Sequence, residues 1–247
     1  DGCRVDLPRE VADEYPFLGN VGTFDSAGTR SDEWMRANFG PDRAETARTA
    51  HVTANPNSRD HLDAERFLRL DEVWRYAWDD DRGTVPPRAV TDRAVSLGRE
   101  LGPPRLVVHY MQPHFPSIPD PLPGGEMTLD EFGGNTKDVW ERLRRGDLSR
   151  DRVWASYREN LRCVLDEVAL LLDNIDAERV VVTADHGNAF GEWGIYSHPD
   201  RIPIRPLREV PWVVTSATDA GKHDPETERE TVDASVEEQL EAFGYKT

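Results

Sequence analysis

The chain has 247 residues, 37% hydrophobic and 31% charged, which is enough apolar mass for one sizeable core and gives a single α/β domain as the expectation. Its formal net charge of −17 is spread along the sequence, and all of its basic residues except Lys137, Lys222 and Lys246 are arginines; this fits a hydrated surface adapted to concentrated salt and makes nucleic acid or an anionic membrane a poor partner. No apolar run approaches the roughly 18 residues of a membrane span, and Cys3 and Cys163, far apart in the chain, supply neither a disulfide framework nor a thiolate zinc site.

In chain order, the first feature is the hydroxyl-bearing stretch SAGTRS over residues 26–31, followed by a predicted helix over 32–39. Residues 49–54 (TAHVTA) and 105–110 (RLVVHY) read as buried strands. Between them, residues 91–101 place Ala94, Leu97 and Leu101 on one helical face, and Gly102-Pro103-Pro104 ends that helix and launches the next strand. A dense proline run over 113–125 can be neither helix nor central strand, and it sits where a substrate-facing lid would be. The longest predicted helix covers 152–173, with Val153, Tyr157, Leu161, Val164, Val168 and Leu171 at helical spacing. Residues 179–184 (RVVVTA) and 210–215 (VPWVVT) read as two more buried strands, and 217–230 as a polar surface loop. Strand and helix alternating in this way imply a three-layer αβα domain with a mainly parallel sheet, its functional groups at the carboxyl ends of the strands.

One such end stands out. A buried strand delivers Asp185 and His186 side by side, and Gly187 lets the backbone turn sharply behind them. A carboxylate and an imidazole held rigidly together suit a divalent metal. His198 follows past a glycine-bearing loop and could close on the same cavity. Capping of the following element is the structural alternative for an Asp-His pair.

The segment TADHGNAFGEWGIYSHP resembles the late metal-binding motif of sulfatases and related phosphohydrolases of the alkaline-phosphatase superfamily. That resemblance implies that Asp185 and His186 bind a catalytic metal (calcium, magnesium, manganese or zinc) and that His198 contacts the metal or the transferred group. VHYMQPHFPS is similar to the superfamily's strand that ends in a histidine of the anion pocket, which implies His114, with His109 the weaker candidate. DGCRVD matches the early metal-binding aspartate and its arginine, which implies Asp1 and Arg4 in a single domain over 1–247 that lacks its first strand. The CxPxR and SxPxR sequences that mature to formylglycine do not occur, so a plain hydroxyl must attack: Thr29 or Ser31, with Thr29 ahead, both near a helix N-terminus. Both are also residue types preferred as helix caps.

The resemblance implies hydrolysis of a small-molecule or glycan phosphate or sulfate ester, with phosphate favoured. The metal would depress the hydroxyl pKa, and His198 and His114 would bind the anion or protonate the leaving oxygen. A phosphotransferase or mutase using the same covalent intermediate and a degenerate binding scaffold are the alternatives. The cysteine usage and the absence of a signal-peptide pattern set a cytoplasmic location as the expectation, and oligomeric state stays open.

Overall fold

The computed structural model describes residues 1–123, 127–133 and 139–226. Its strands are β1 (Gly22–Asp25), β2 (Thr49–Thr53), β3 (Arg69–Glu72), β4 (Arg105–His109), β5 (Ala177–Thr183), the two-residue pair β6 (Ala189–Phe190) and β7 (Tyr196–Ser197), and β8 (Glu209–Ala217). Its α-helices are α1 (Asp6–Glu10), α2 (Ser31–Phe39), α3 (Ser58–His61), α4 (Trp74–Ala77), α5 (Pro87–Leu101), α6 (Val139–Arg145), α7 (Arg150–Leu172) and α8 (Arg205–Arg208). None of the described helices is long and apolar enough to cross a membrane.

Local chemistry sets the long helices. Pro87 opens α5 at its first position, where its missing N–H costs nothing, and Gly102 closes it in the left-handed region with its N–H on the Gly98 carbonyl. Ser149 caps α7 by accepting from the Arg152 N–H, and Val153, Tyr157, Leu161 and Val164 face the core from it. The helix expected at 32–39 starts one residue earlier. Its N-cap is Arg30 without a side-chain cap, so neither Thr29 nor Ser31 serves there.

The strands form two three-stranded sheets beside the small β6–β7 pair. One has the order β3-β2-β4 and is parallel throughout, with β2 fully buried. The other has the order β1-β8-β5, and both of its pairings are antiparallel. The expectation of parallel strands therefore holds for the first sheet and fails for β8. The reason is the link from β5 to β8. A parallel return needs a crossover along the length of the sheet, but residues 184–208 stay at the carboxyl end of β5, where they form β6, β7 and the four-residue α8. Trp212 of β8 consequently lies opposite Thr183 of β5, and Ala217 opposite Ala177.

A second difference concerns burial. The valines of β4 and β5 (Val107, Val108, Val180, Val181 and Val182) are only partly buried, although both strands read as interior ones. Among the described residues these two strands have one neighbour each, β2 for β4 and β8 for β5, and a cavity of 1320 Å³ runs between them. Residues 113–123 carry neither helix nor strand, and Asn160 of α7 donates to the Pro113 and His114 carbonyls at 3.1 Å, which ties this strap down. The last two residues of the proline run and residues 227–230 of the polar stretch lie outside the described residues.

Candidate metal centre

The carboxyl ends of β2, β4 and β5 converge on one point, where the start of the chain and the first turn of α2 meet them. Asp185 follows β5. Its Oδ1 accepts the Gly2 and His186 N–H groups, both at 2.9 Å, which leaves Oδ2 buried without a hydrogen-bond partner. That oxygen lies 3.5 Å from His109 Nε2 and 3.6 Å from His186 Nε2. Asp1 lies opposite, its Oδ2 3.5 Å from His109 Nε2 and its Oδ1 3.5 Å from His186 Nε2. Ligand atoms of Asp1, His109 and Asp185 all fall within 4.8 Å of one another.

Two glycines make this convergence possible. Gly2 has φ +60°, and a Cβ there would meet Asn188 Nδ2 at 2.8 Å. A Cβ on Gly187 would come within 2.1 Å of the Pro206 carbonyl, to which only a bare backbone can pack. The Gly2 carbonyl accepts from Tyr157 Oη and, at 2.8 Å, from Asn188 Nδ2.

The imidazoles are held in defined tautomers. His186 Nδ1 lies 2.8 Å from the Gly187 carbonyl, which can only accept, so Nδ1 carries the proton and Nε2 turns its lone pair toward both carboxylates. His114 Nδ1 donates to the Phe115 carbonyl at 2.6 Å by the same logic. His114 Nε2 then accepts from His198 Nε2 at 2.9 Å, and His198 is left with a lone pair on Nδ1, a buried atom without a partner. Burial is the main force pushing all three rings below their ordinary pKa: His114 to about 4, His198 well below, and His186 against the pull of Asp185. Burial works against charge on Asp185 too, but the nearby His186 and His109 rings and the terminal amino group hold its carboxyl well below the usual carboxylate range.

The two hydroxyl candidates part company. Ser31 Oγ donates to Asp1 Oδ2 at 2.8 Å, accepts from Asn55 Nδ2 at 2.9 Å and stands 3.4 Å from His186 Nε2. Thr29 Oγ1 faces the other way, 3.0 Å from Glu33 Oε2 and 3.3 Å from the Pro199 carbonyl. Arg4 is turned from the centre and binds Asp6 at 2.7 Å and Glu192 at 2.6 Å, which ties the first residues to the GEWG loop. The structure thus gathers Asp1, Ser31, Asp185 and His186 into one cluster, with the His114–His198 pair against it; the His186 and His198 ring centroids are 4.6 Å apart.

Asn55 escaped the sequence reading. Its amide also donates to Asp1 Oδ2, at 2.5 Å. A polar residue two positions past a fully buried strand was the available signal, because strand ends are where sites form in such sheets. His109 also stands closer to the centre than its secondary rank implied.

The residues fit a divalent cation. Two buried carboxylates facing one another across a few ångströms repel unless a positive charge lies between them. Asp185 Oδ2 and both His109 nitrogens have no hydrogen-bond partner, and carboxylates beside imidazoles are a donor set for a divalent metal.

Neither a protein-family model nor a curated protein matches the chain. Solved structures do. The C-terminal periplasmic domain of phosphoethanolamine transferase EptC from Campylobacter jejuni aligns with a TM-score of 0.57 at 15% identity, covering 87% of this chain and 76% of that one. The soluble domain of lipooligosaccharide phosphoethanolamine transferase A from Neisseria meningitidis aligns with a TM-score of 0.59 at 14% identity, covering 90% and 76%. The integral membrane protein EptA from the same organism gives a TM-score of 0.55 at 14% identity, covering 89% of this chain but 44% of that protein. These neighbours are members of the alkaline-phosphatase and sulfatase superfamily. At such identities the likeness shows the fold, an α/β fold like that of the transferase domains.

Proposed function

We propose that this domain moves a phosphoryl-type group from a donor ester to an acceptor hydroxyl through a covalent intermediate on Ser31. The observation that carries the proposal is the position of Ser31 Oγ, hydrogen-bonded to Asp1 at the N-terminus of α2 and 3.4 Å from His186 Nε2. The likeness to transferase domains supports transfer over hydrolysis as the main activity.

Asp1, Asp185, His109 and His186 would hold a divalent metal, which when bound supplies positive charge against the nonbridging oxygens and lowers the cost of ionising a nearby hydroxyl. In the first half-reaction Ser31 Oγ forms a bond to phosphorus as the bond to the leaving oxygen breaks. The hydroxyl proton, held at Asp1 Oδ2 in the resting state, ends on the leaving oxygen, so there is no net proton uptake. The buried His198 Nδ1 lone pair is the relay for it, with His114 fixing the tautomer. In the second half-reaction the acceptor hydroxyl gives its proton to the same nitrogen, its oxygen attacks phosphorus, and the Ser31 Oγ–P bond breaks to restore the hydroxyl. Ser31 is the first residue of α2, so the positive end of that helix lies at the nucleophile. Asn55, donating to both Asp1 and Ser31, orients the nucleophile.

The test is partitioning. With zinc or manganese and an aryl phosphodiester as donor, adding a simple alcohol as acceptor should divert product from the hydrolysed monoester to the new alkyl ester, and Ser31→Ala should abolish both products. Hydrolysis that no alcohol diverts would make the chain a hydrolase, and absence of turnover under all metals would make it a scaffold.

A further inference from the structure

Helix α7 buries Ser156, Tyr157 and Asn160 on the same side as Val153, Leu161 and Val164. A buried hydroxyl or amide costs stability unless its hydrogen bonds are made, and Tyr157 and Asn160 make theirs to the two segments that carry the site. The strap over residues 113–118 cannot hold its shape through a backbone ladder, because Pro113 and Pro116 have no N–H. Its carbonyls take their donors from Asn160. Nδ2 donates to Pro113 and His114 at 3.1 Å and to Pro116 at 3.4 Å, and Oδ1 accepts the Ile118 N–H at 3.2 Å, which fixes the amide's orientation. These contacts bracket the Phe115 carbonyl, the acceptor that holds the His114 tautomer. Three residues earlier on the helix, Tyr157 Oη donates to the Gly2 carbonyl and accepts the Arg4 N–H at 3.3 Å, while Asp185 holds the Gly2 N–H at 2.9 Å. A glycine at φ +60° has no side chain to restrict it, so its conformation is set by such contacts.

From these contacts we propose that Tyr157 and Asn160 are positioning residues for the two halves of the centre. Tyr157 sets Asp1 for the metal through Gly2, and Asn160 sets the His114–His198 pair through the strap. The assignment rests on the reading of Asp1 as a metal ligand and of His198 as the proton relay. Neither residue touches the reacting atoms. Each acts by fixing the backbone from which a functional side chain projects, and groups that orient ligands in this way alter metal affinity or activity by about 10–100-fold when removed. Because both stand on one long helix, the metal half and the histidine half are held in register by a single rigid element.

The two roles separate by substitution, with a cooperative thermal melt in EDTA as the check on folding. Tyr157→Phe loses only the hydroxyl and keeps its ring among Phe115, Trp154 and Phe190. It should weaken zinc and manganese binding, measured against a chelating indicator, by about tenfold or more. The imidazole nitrogens, read by NMR of the metal-free protein, should stay as in the parent, with His114 protonated at Nδ1 and His198 at Nε2. Asn160→Leu should keep the parent's metal affinity and show mixed tautomers in both rings. Asn160→Asp, which keeps the acceptor for Ile118 but not the donors, should show the same mixture. Val153→Ala, a buried change elsewhere on α7, should lower the melting midpoint and move neither readout. Four results would overturn the assignment and leave the transfer reading intact: unchanged metal affinity in Tyr157→Phe, parent-like tautomers in either Asn160 variant, failure of both Asn160 variants to fold, or equal shifts from Val153→Ala. A parent that binds neither metal would overturn the Tyr157 half together with the reading it rests on.

Discussion

Replacing Asp185 with asparagine separates the carboxylate's structural work from its work as a ligand. The amide side chain of Asp185→Asn keeps an oxygen where Oδ1 accepts from Gly2 and His186, so the turn after β5 should survive. Hydrogen bonds to a charged acceptor contribute about 1.5–3 kcal/mol and to a neutral one about 0.5–1.5, so the two bonds together lose up to about 3 kcal/mol. Opposing this, the variant no longer sets two buried carboxylates against one another. The balance in chelator should lie within about 2 kcal/mol of the parent. Added metal should then distinguish the two proteins. At a free concentration one hundredfold above Kd, a ligand that binds only the native state stabilises it by about 2.7 kcal/mol. For a chain of this size that raises the thermal midpoint by about 5–11 °C. Scanning calorimetry with zinc or manganese against EDTA should show that rise in the parent and almost none in Asp185→Asn. Equal rises in both proteins would refute the placement of the metal at Asp185.

Three further outcomes are expected. His51 is fully buried, with both ring nitrogens unpartnered and its pKa held well below the ordinary value, first by burial and then by His109. A lowered histidine pKa means that the unfolded chain binds the extra proton first, so stability falls as pH drops below about 6.5; His51→Phe, which stays among Phe39 and Phe67, should flatten that fall in urea titrations from pH 7 to 5. Gly187→Ala places a Cβ against the Pro206 carbonyl and should cost more than about 2 kcal/mol, measured by the denaturation midpoint, whereas the same change at the open Gly221 should cost less. The net charge of −17 should make circular-dichroism melts rise steadily from dilute buffer to molar potassium chloride as repulsion is screened; equal midpoints would count against salt adaptation.

The fold was legible where periodicity and burial coincide. The helix read at 152–173 lies inside α7 but for Asp173, which follows its last residue, and the strands read at 49–54 and 105–110 are β2 and β4 with one extra residue each. The adjacent pair Asp185 and His186 stood out because a valine-rich strand ends on them. β1 and β3 were missed for a physical reason. GTFD is mostly exposed and RLDE holds one apolar residue in four, so neither carries the apolar pattern that marks a strand. The direction of β8 was also invisible, because it depends on where residues 184–208 spend their length and not on the composition of the strand. Within the site, proximity joins residues far apart in the chain: Ser31 meets His186 across 155 positions and Asn55 meets Asp1 across 54. Local context marked Thr29 and Ser31 as hydroxyls near a helix start and put Thr29 ahead. Only the packing of α2 turns one toward Asp1 and the other toward Glu33.

The proposed covalent step on Ser31 is tested most directly by mass spectrometry of the metal-loaded protein, quenched during turnover of an aryl phosphodiester and digested to peptides. The expected result is a phosphoryl-type adduct on Ser31, absent from Ser31→Ala and lost when an acceptor alcohol is added before the quench. An adduct on Thr29, or turnover without any adduct on this segment, would contradict it.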